Sequence, residues 1–226
     1  GIANAIINGT IVLRPYGTFP HPNVLGGFLA IVLPLILALR LRSGQARSPR
    51  ISRIFPVLIL GYIVLFLSMS RVAIVVGVVA SLWVVRRQAL WLLLPLVLLL
   101  PRFLTVEMEP LVAREQLISK AVEMWTRSPI WGTGLGTAPL YGAKLASYAL
   151  AHQPTHNIYL LVLAETGVLG VAGAWLVFRK IKISWPVVAI LFLGLFDHYF
   201  LTLQQGQLLL ALVLGLNSAT MEKVKK

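Results

Sequence analysis

The stretch "NIYLLVLAETGVLGVAGAWLVF", residues 157–178, decides the fold class. Its only charged side chain is Glu165, and the basic segment "RKIK" follows at 179–182. A helix rises about 1.5 Å per residue, so this run is long enough to cross a hydrocarbon core of about 30 Å. The stretch therefore predicts a transmembrane helix that ends at a basic flank.

The composition of the whole chain extends this prediction. Of the 226 residues, 58% are hydrophobic and only 12% are charged, whereas soluble domains carry about 25% charged residues. Six further apolar runs lie at 22–39, 54–69, 72–85, 88–101, 185–196 and 206–217. We predict an all-α, polytopic transmembrane helix bundle of about seven apolar segments. The absence of cysteine excludes disulfides and thiolate metal sites.

Basic residues divide unevenly between the two sides that alternating spans define. If residues 40–53 face the cytoplasm, thirteen of the 20 lysines and arginines fall on that side. The positive-inside rule then places 42–53, 179–183 and the C-terminus in the cytoplasm. Residues 102–156 become an extracytoplasmic loop carrying short helices. The net charge of +13 is thus mainly a topology signal, and we expect no nucleic-acid partner.

The N-terminal end of the chain also bears on its organisation. It starts at Gly1 with no basic n-region and no cleavage site. We expect residues 1–226 to form a single membrane domain that is the C-terminal part of a longer protein.

Two histidines stand immediately before the deciding stretch, in "HQPTH" at 152–156. Their spacing matches a zinc-protease helix, but that site needs glutamate after the first histidine, where Gln153 stands. Pro154 also interrupts the helix that would align the two imidazoles. The pattern therefore predicts no metal site. Thr155 is the predicted N-cap of the following helix, with His156 in its first turn.

Glycines and one carboxyl group mark the neighbourhood of this helix. Glu165 is an intramembrane carboxyl, which is either a functional group or a hydrogen-bonded structural one. The small residues at 167, 170, 173 and 174 predict a face for close helix contact. The segment "WGTGLGTA" at 131–138 lacks the preceding strand of a dinucleotide site, so we interpret it as a tight turn beside a polar pocket.

Two arginines interrupt apolar surroundings on the outer side. Arg14 precedes "PYGTFPHPN", and Arg71 lies inside "SMSRVAIVV". An arginine in such a place needs an anionic partner. The partner is either a carboxylate in a structural salt bridge or a diphosphate, which the guanidinium fork suits.

Four segments together resemble the O-antigen ligase and polymerase superfamily. They are "RPYGTFPHPNVLGGFL" (14–29), "SMSRVAI" (68–74), "RSPIWGTGLG" (127–136) and "HNIYLLVLAETGVLG" (156–170). The order His-Asn, nine residues, then Gly-x-x-Gly is matched by His156, Asn157, Gly167 and Gly170. Members of this superfamily have more spans than this chain, and the difference is at the N-terminal side.

The resemblance implies a multi-helix bundle with a large periplasmic loop in the inner membrane. It implies a metal-independent, inverting transfer of a glycan from an undecaprenyl-diphosphate carrier to a glycan or lipid-core acceptor, without a cofactor. The family's arginines fall on Arg14 and Arg71 and its loop histidine on His156. Polar residues in or beside the same motifs are predicted to bind substrate: His152, Asn157, Asn23 and Glu165.

These roles predict that Arg14, Arg71 and His156 converge on one outward-facing cavity. The arginines would hold the diphosphate, and His156 would accept the proton of the acceptor hydroxyl or orient it. A non-enzymatic flippase of lipid-linked glycans is the alternative, and proton coupling through Glu165 would favour it. The sequence leaves the choice between ligase and polymerase open.

Overall fold

The computed structural model describes residues 4–7, 10–42, 54–85, 108–141 and 152–224. The chain divides into two compact units, Gly1–Val106 and Glu107–Lys226, and each is described by itself. The elements in chain order are β1 (Asn4–Ile7), β2 (Thr10–Leu13), α1 (Pro22–Arg42), α2 (Ile54–Leu67), α3 (Arg71–Val85), α4 (Met108–Arg127), a short 3₁₀ helix (Ala138–Tyr141), α5 (Ile158–Phe178), α6 (Trp185–Leu193), α7 (Tyr199–Thr202) and α8 (Gln204–Val224). The structure is therefore mostly helical, which confirms the all-α fold class.

Two of the described helices are long and apolar enough to cross a membrane. They are the segment Pro22–Arg40 within α1, and α5. The segments Pro56–Leu67 and Arg71–Val84 are apolar but shorter. The predicted run at 88–101, the basic segment at 43–53 and residues 142–151 lie outside the described residues. The seven-segment bundle thus stays a prediction.

The first unit is built on close contact between α1 and α3. Gly26 on α1 faces the turn that joins α2 to α3, and a Cβ there would lie 2.8 Å from Ser68 Oγ. Because glycine leaves this space free, α1 packs directly on the turn. Buried apolar side chains from α1, α2 and α3 fill the space between the helices, including Ile31, Leu65 and Ile74.

A short β-hairpin precedes α1 and was not predicted. Its strands pair antiparallel, with Asn4 opposite Leu13 and Ile7 opposite Thr10. Asn8 and Gly9 stand between the strands in the sequence, and Asn-Gly is the dipeptide that two-residue hairpin turns favour. The Asn-Gly dipeptide indicates a hairpin, but it is only two residues long and apolar runs dominate the rest of the sequence.

The second unit pairs the amphipathic helix α4 with α5. Leu117, Ala121 and Met124 recur at helical spacing on one side of α4 and are buried. Met124 and Ala121 pack in one cluster with Leu161 and Ala164 of α5. The predicted extracytoplasmic loop therefore carries a helix of 20 residues as well as the short 3₁₀ helix. The prediction of short helices alone was wrong there, because the buried stripe on α4 stabilises a long one.

Candidate functional site

The N-terminal end of α5 is fixed by Asn157, which the structure makes its N-cap. The Asn157 Oδ1 accepts hydrogen bonds from the backbone N–H groups of Tyr159 and Leu160, both at 3.0 Å. The prediction of Thr155 as N-cap was wrong, because the helix begins two residues later. Thr155 is buried, and His156 precedes the helix rather than lying in its first turn. As predicted, residues 152–157 are not helical, so no single helix aligns His152 with His156.

The end of α6 is tied to the start of α5. The backbone N–H of Ile158 donates to Gly194 O at 2.8 Å, and Asn157 Nδ2 donates to Leu195 O at 3.2 Å. Tyr159 adds a third link through its hydroxyl, which donates to Leu191 O at 2.8 Å. These bonds bring the segment after α6 alongside His156. They also engage the Asn157 amide, so its contact with a substrate stays a prediction.

His156 lies against Asp197, a pairing that the sequence analysis did not find. His156 Nδ1 is 3.3 Å from Asp197 Oδ1, and the side chains are 28% and 13% exposed. The His198 backbone N–H donates to the same Asp197 oxygen at 2.8 Å. The signal in the sequence was "DH" at 197–198, two adjacent titratable residues between two apolar runs. The contact was not evident because the two partners are 41 positions apart in the sequence.

The electrostatics of this cluster define a protonation pattern. Burial raises the pKa of Asp197, but the hydrogen bond with His156, the neighbouring imidazoles and the His198 N–H together hold the pKa below its ordinary value. An ionised Asp197 accepts a hydrogen bond, so it favours the His156 tautomer with the proton on Nδ1. Nε2 of His156 then carries the lone pair and can accept a proton.

His198 is the third member of the cluster. Its ring centroid is 5.1 Å from that of His156, and its Nδ1 is 2.5 Å from Thr202 Oγ1. Burial lowers the pKa of His198 to about 4, because Asp197 opposes the desolvation only in part and His156 adds to it. His198 is therefore neutral in the folded protein at ordinary pH.

The same three side chains have the composition of a possible metal site. One ligand atom from each of His156, Asp197 and His198 lies within 4.8 Å of the others. Imidazole and carboxylate donors suit several transition metals. This donor set differs from the His152–His156 pair considered from the sequence. The independence of metal stays a prediction.

Helix α5 is interrupted at Gly167, which has φ +64° and ψ −167°. The glycine-containing turn after α4 bonds to both sides of this break. Thr133 and Gly134 N–H donate to Ala164 O and Glu165 O at 3.1 and 2.9 Å. On the other side, the N–H groups of residues 168 and 169 donate to the carbonyls of residues 129 and 130. The break thus leaves these backbone groups hydrogen-bonded, as buried backbone groups require.

This arrangement revises two interpretations of the glycines. The turn at 131–138 is confirmed, since Gly132, Gly134 and Gly136 all have positive φ. The predicted small-residue face of α5 was wrong at Gly167, which forms the break, while nothing lies within 4 Å of a Cβ built at Gly173. Gly167 and Gly132 are needed because the turn and the helix approach each other through their backbones.

Glu165 is buried beside the same break. Its Oε1 accepts a hydrogen bond from the Ala138 backbone N–H at 3.1 Å, at the start of the 3₁₀ helix. The carboxyl group therefore has a structural partner, which corresponds to the hydrogen-bonded alternative considered from the sequence. A contact of Glu165 with substrate stays a prediction.

The first unit brings Arg14 and Asn23 together and links Arg14 to the turn before Arg71. Arg14 Nε donates to Ser68 O at 2.8 Å, and its Nη2 donates to Asn23 Oδ1 at 2.7 Å. Ser68 begins the turn that leads to Arg71, the first residue of α3. Met69 in this turn has φ +50°, a conformation that costs a non-glycine residue energy. Arg14 and Asn23 thus hold a constrained turn that presents Arg71.

The segment before His156 is held by α4. Lys120 is 5% exposed, and its Nζ donates to the Gln153 carbonyl at 3.0 Å. His152, which was predicted to bind substrate, is exposed at the beginning of this segment. The contact fixes the chain three residues before His156.

An apolar cavity of about 330 Å³ opens beside the His156 cluster. Its walls come from α5, α6, α7 and α8. Tyr159 and Ile158 lie next to the α5 N-cap, and Phe200 and Leu201 follow the Asp197–His198 pair. Nearly all of the lining is hydrocarbon, so the cavity suits an apolar chain and excludes a sugar or a phosphate.

No protein-family model, curated protein or solved structure matches this chain.

The buried neutral His198 predicts that stability falls in mild acid. An unfolded histidine has a pKa near 6.5, whereas burial lowers that of His198 to about 4. Between these values only the unfolded chain takes up the proton, so the free energy of unfolding falls as pH drops from 6.5 to 4. The loss is on the order of 3 kcal/mol.

Thermal unfolding of the detergent-solubilised protein at a series of pH values measures this loss. His198→Gln keeps a polar side chain but removes the titration, so its unfolding temperature should vary less across this window. Equal pH dependence of both proteins would contradict the assignment.

Proposed function

We propose that this protein is a glycosyltransferase of a multi-pass membrane domain, which moves a glycan from a polyprenyl-diphosphate carrier to an acceptor hydroxyl outside the cytoplasm. The observation that carries the proposal is the contact between His156 and Asp197 at 3.3 Å. A partly exposed imidazole oriented by a buried carboxylate is the arrangement of a general base. The sequence resemblance independently selects the same histidine.

The reaction needs one proton acceptor and one stabilised leaving group. The acceptor hydroxyl oxygen forms a bond to the anomeric carbon of the donor sugar, and its proton passes to His156 Nε2. The bond between that carbon and the diphosphate oxygen breaks, and the polyprenyl diphosphate leaves with both electrons. Attack from the opposite face inverts the configuration at the anomeric carbon. Asp197 stabilises the imidazolium that forms.

Arg71 and Arg14 are the proposed ligands of the diphosphate. Arg71 is the first residue of a 15-residue helix, so its guanidinium adds to the positive end of the helix dipole. Arg14 shapes the turn before Arg71 through Ser68 and Asn23. Their joint action with His156 on one substrate stays a prediction. Arg71→Lys keeps the charge and loses the planar fork, so it should still impair transfer.

The apolar cavity supports a lipid-linked donor. It is lined by hydrocarbon, and its lining includes Ile158, which is the residue after the Asn157 cap and the second residue after His156. We propose that the first part of the polyprenyl tail occupies it, while the diphosphate and the sugar stay outside. Burial of an apolar chain contributes about 25 cal/mol per Å².

Filling this cavity should discriminate between donors by the length of their lipid tails. Ala174 on α5 lines the cavity, and Ala174→Trp would occupy part of it. We expect KM for an undecaprenyl donor to rise about tenfold, which corresponds to about 1.4 kcal/mol of lost binding. A donor with a two-isoprene tail should be affected much less. An equal effect on both donors would place the tail elsewhere.

A flippase of lipid-linked glycans is the second candidate, and one observation favours it. The interruption of α5 at Gly167 is a feature that transporters use to form binding sites within the membrane. In this protein a turn of the same unit satisfies the broken backbone. A break whose backbone groups are hydrogen-bonded in this way is compatible with a static α5 as well as with an α5 that moves during transport.

Release of undecaprenyl diphosphate from an undecaprenyl-diphosphate glycan tests the proposal and the role of metal together. The purified protein is incubated with this donor and a glycan acceptor, with and without EDTA. We expect release that depends on the acceptor and is unchanged by EDTA. Loss of release with EDTA and its recovery with Zn²⁺ would instead assign His156, Asp197 and His198 to a metal.

A further inference from the structure

The end of α4 and the turn that follows it lie beside the first half of α5. Lys120 Nζ bonds to Gln153 O, before α5 begins, whereas Thr133 N–H bonds to Ala164 O near the middle of α5. At about 1.5 Å per residue, Ala164 is about 9 Å along α5 from its first residue. The chain from residue 120 to 133 therefore descends along α5 and runs in the same direction as α5.

Two exposed surfaces on this descending segment differ in chemistry. The apolar surface consists of Ile118 and Val122 on α4 and continues with Ile130 and Trp131 in the turn, all of which are exposed. It lies opposite the buried side of α4 that holds Leu117, Lys120 and Met124.

The charged surface consists of Glu123 and Arg127. Their side chains form an ion pair at 2.6 Å and are about half exposed, at 51% and 55%. On a helical wheel they are turned roughly 100–140° away from Val122.

We infer that residues 118–136 form a re-entrant segment that enters the outer leaflet with α5, with its apolar surface against lipid and its charged surface against water. The inference rests on the proposed function only in taking α5 as a membrane span. If α5 spans, the hydrogen bonds from Thr133 and Gly134 fix the turn at the depth of the α5 break. Ile130 and Trp131 are then at hydrocarbon depth.

The Glu123–Arg127 ion pair determines which side of the re-entrant segment faces water. An exposed ion pair is costly in hydrocarbon, and non-helical backbone at this depth is tolerated where it is packed on protein or lines a water-filled cavity. The Glu123–Arg127 surface therefore lines water, in the same leaflet as the apolar surface. A polar acceptor can therefore approach through water along the charged surface of α4, while the lipid tail of a donor stays in hydrocarbon.

Site-directed spin labelling tests the inference, because the protein contains no cysteine. Single cysteines at Val122 and Ile118 report the apolar surface, and one at Glu123 is the matched control on the same helix. Val177, which is 62% exposed in the second half of α5, reports insertion of the span. The labelled proteins are reconstituted in vesicles of phosphatidylethanolamine and phosphatidylglycerol. Their collisions with oxygen and with a water-soluble nickel chelate are then measured.

We expect a severalfold higher ratio of oxygen to nickel accessibility at Val122 and Val177 than at Glu123, and an intermediate ratio at Ile118. A lipid-exposed Val177 with Val122 and Ile118 open to nickel would overturn the inference and leave the span intact. Inaccessibility of Val122 and Ile118 to both reagents would mean that protein covers this surface, which also overturns it. Exposure of Val177 to nickel would remove the span and the proposed membrane function with it.

Discussion

Replacing His156 by alanine is expected to lower the rate of glycan transfer by about 10²- to 10⁴-fold, the range for loss of a general base. Binding of the donor should change little, because His156 acts on the acceptor hydroxyl. The measurement is the initial rate of transfer from a lipid-diphosphate donor, with donor binding measured separately. A variant that binds donor and transfers glycan at the original rate would exclude His156 as the base.

Asp197→Asn tests the same cluster from the other partner. Asparagine has no charge to stabilise the His156 imidazolium. When its amide nitrogen takes the position of the Oδ1 that faces His156, it also donates to Nδ1 and moves the imidazole proton to Nε2. The nitrogen that should accept the hydroxyl proton is then blocked, so transfer should fall nearly as far as in His156→Ala. The unfolding temperature of each variant separates this effect from a loss of structure.

Gly167→Ala is expected to lower the free energy of unfolding by at least about 3 kcal/mol. The φ of +64° strains any residue with a Cβ, and that Cβ would lie 2.3 Å from the carbonyl oxygen of Ile130. The substitution must therefore displace the turn that satisfies the broken helix.

Gly173→Ala is the matched control, because it makes the same change in the same helix. Nothing lies within 4 Å of a Cβ at Gly173, and alanine favours a helix over glycine by up to about 1 kcal/mol. Thermal unfolding in detergent should show a large decrease for Gly167→Ala and none for Gly173→Ala. Similar unfolding temperatures for the two variants would contradict the described break.

The sequence predicted those parts of the fold that depend on hydrophobicity and charge. Long apolar runs without charges favour helices, because a helix satisfies its backbone hydrogen bonds within the run. The helices α1, α2, α3 and α5 accordingly begin within one residue of their predicted runs. Pro154 correctly indicated that no helix aligns His152 with His156, and three glycines correctly marked a turn. These are local effects, in which a residue acts on its own backbone.

Features that depend on contacts between distant segments were not predicted. Glycine at position 167 is compatible with both a packed helix face and a broken helix, and only the turn from residue 129 onward decides between them. Asp197 stands between two apolar runs in the sequence, but its pairing with His156 follows from hydrogen bonds that join the start of α5 to the end of α6. The predicted N-cap was wrong because threonine and asparagine both cap helices, and Asn157 stands only two residues after Thr155.

The most direct test of the central claim uses sealed proteoliposomes carrying an undecaprenyl-diphosphate glycan and a membrane-impermeant glycan acceptor. We expect a new glycosidic bond on the acceptor, an equal amount of undecaprenyl diphosphate, and loss of both in His156→Ala. Movement of intact donor between leaflets without bond formation, unchanged in His156→Ala, would contradict the proposed glycan transfer and identify the protein as a transporter.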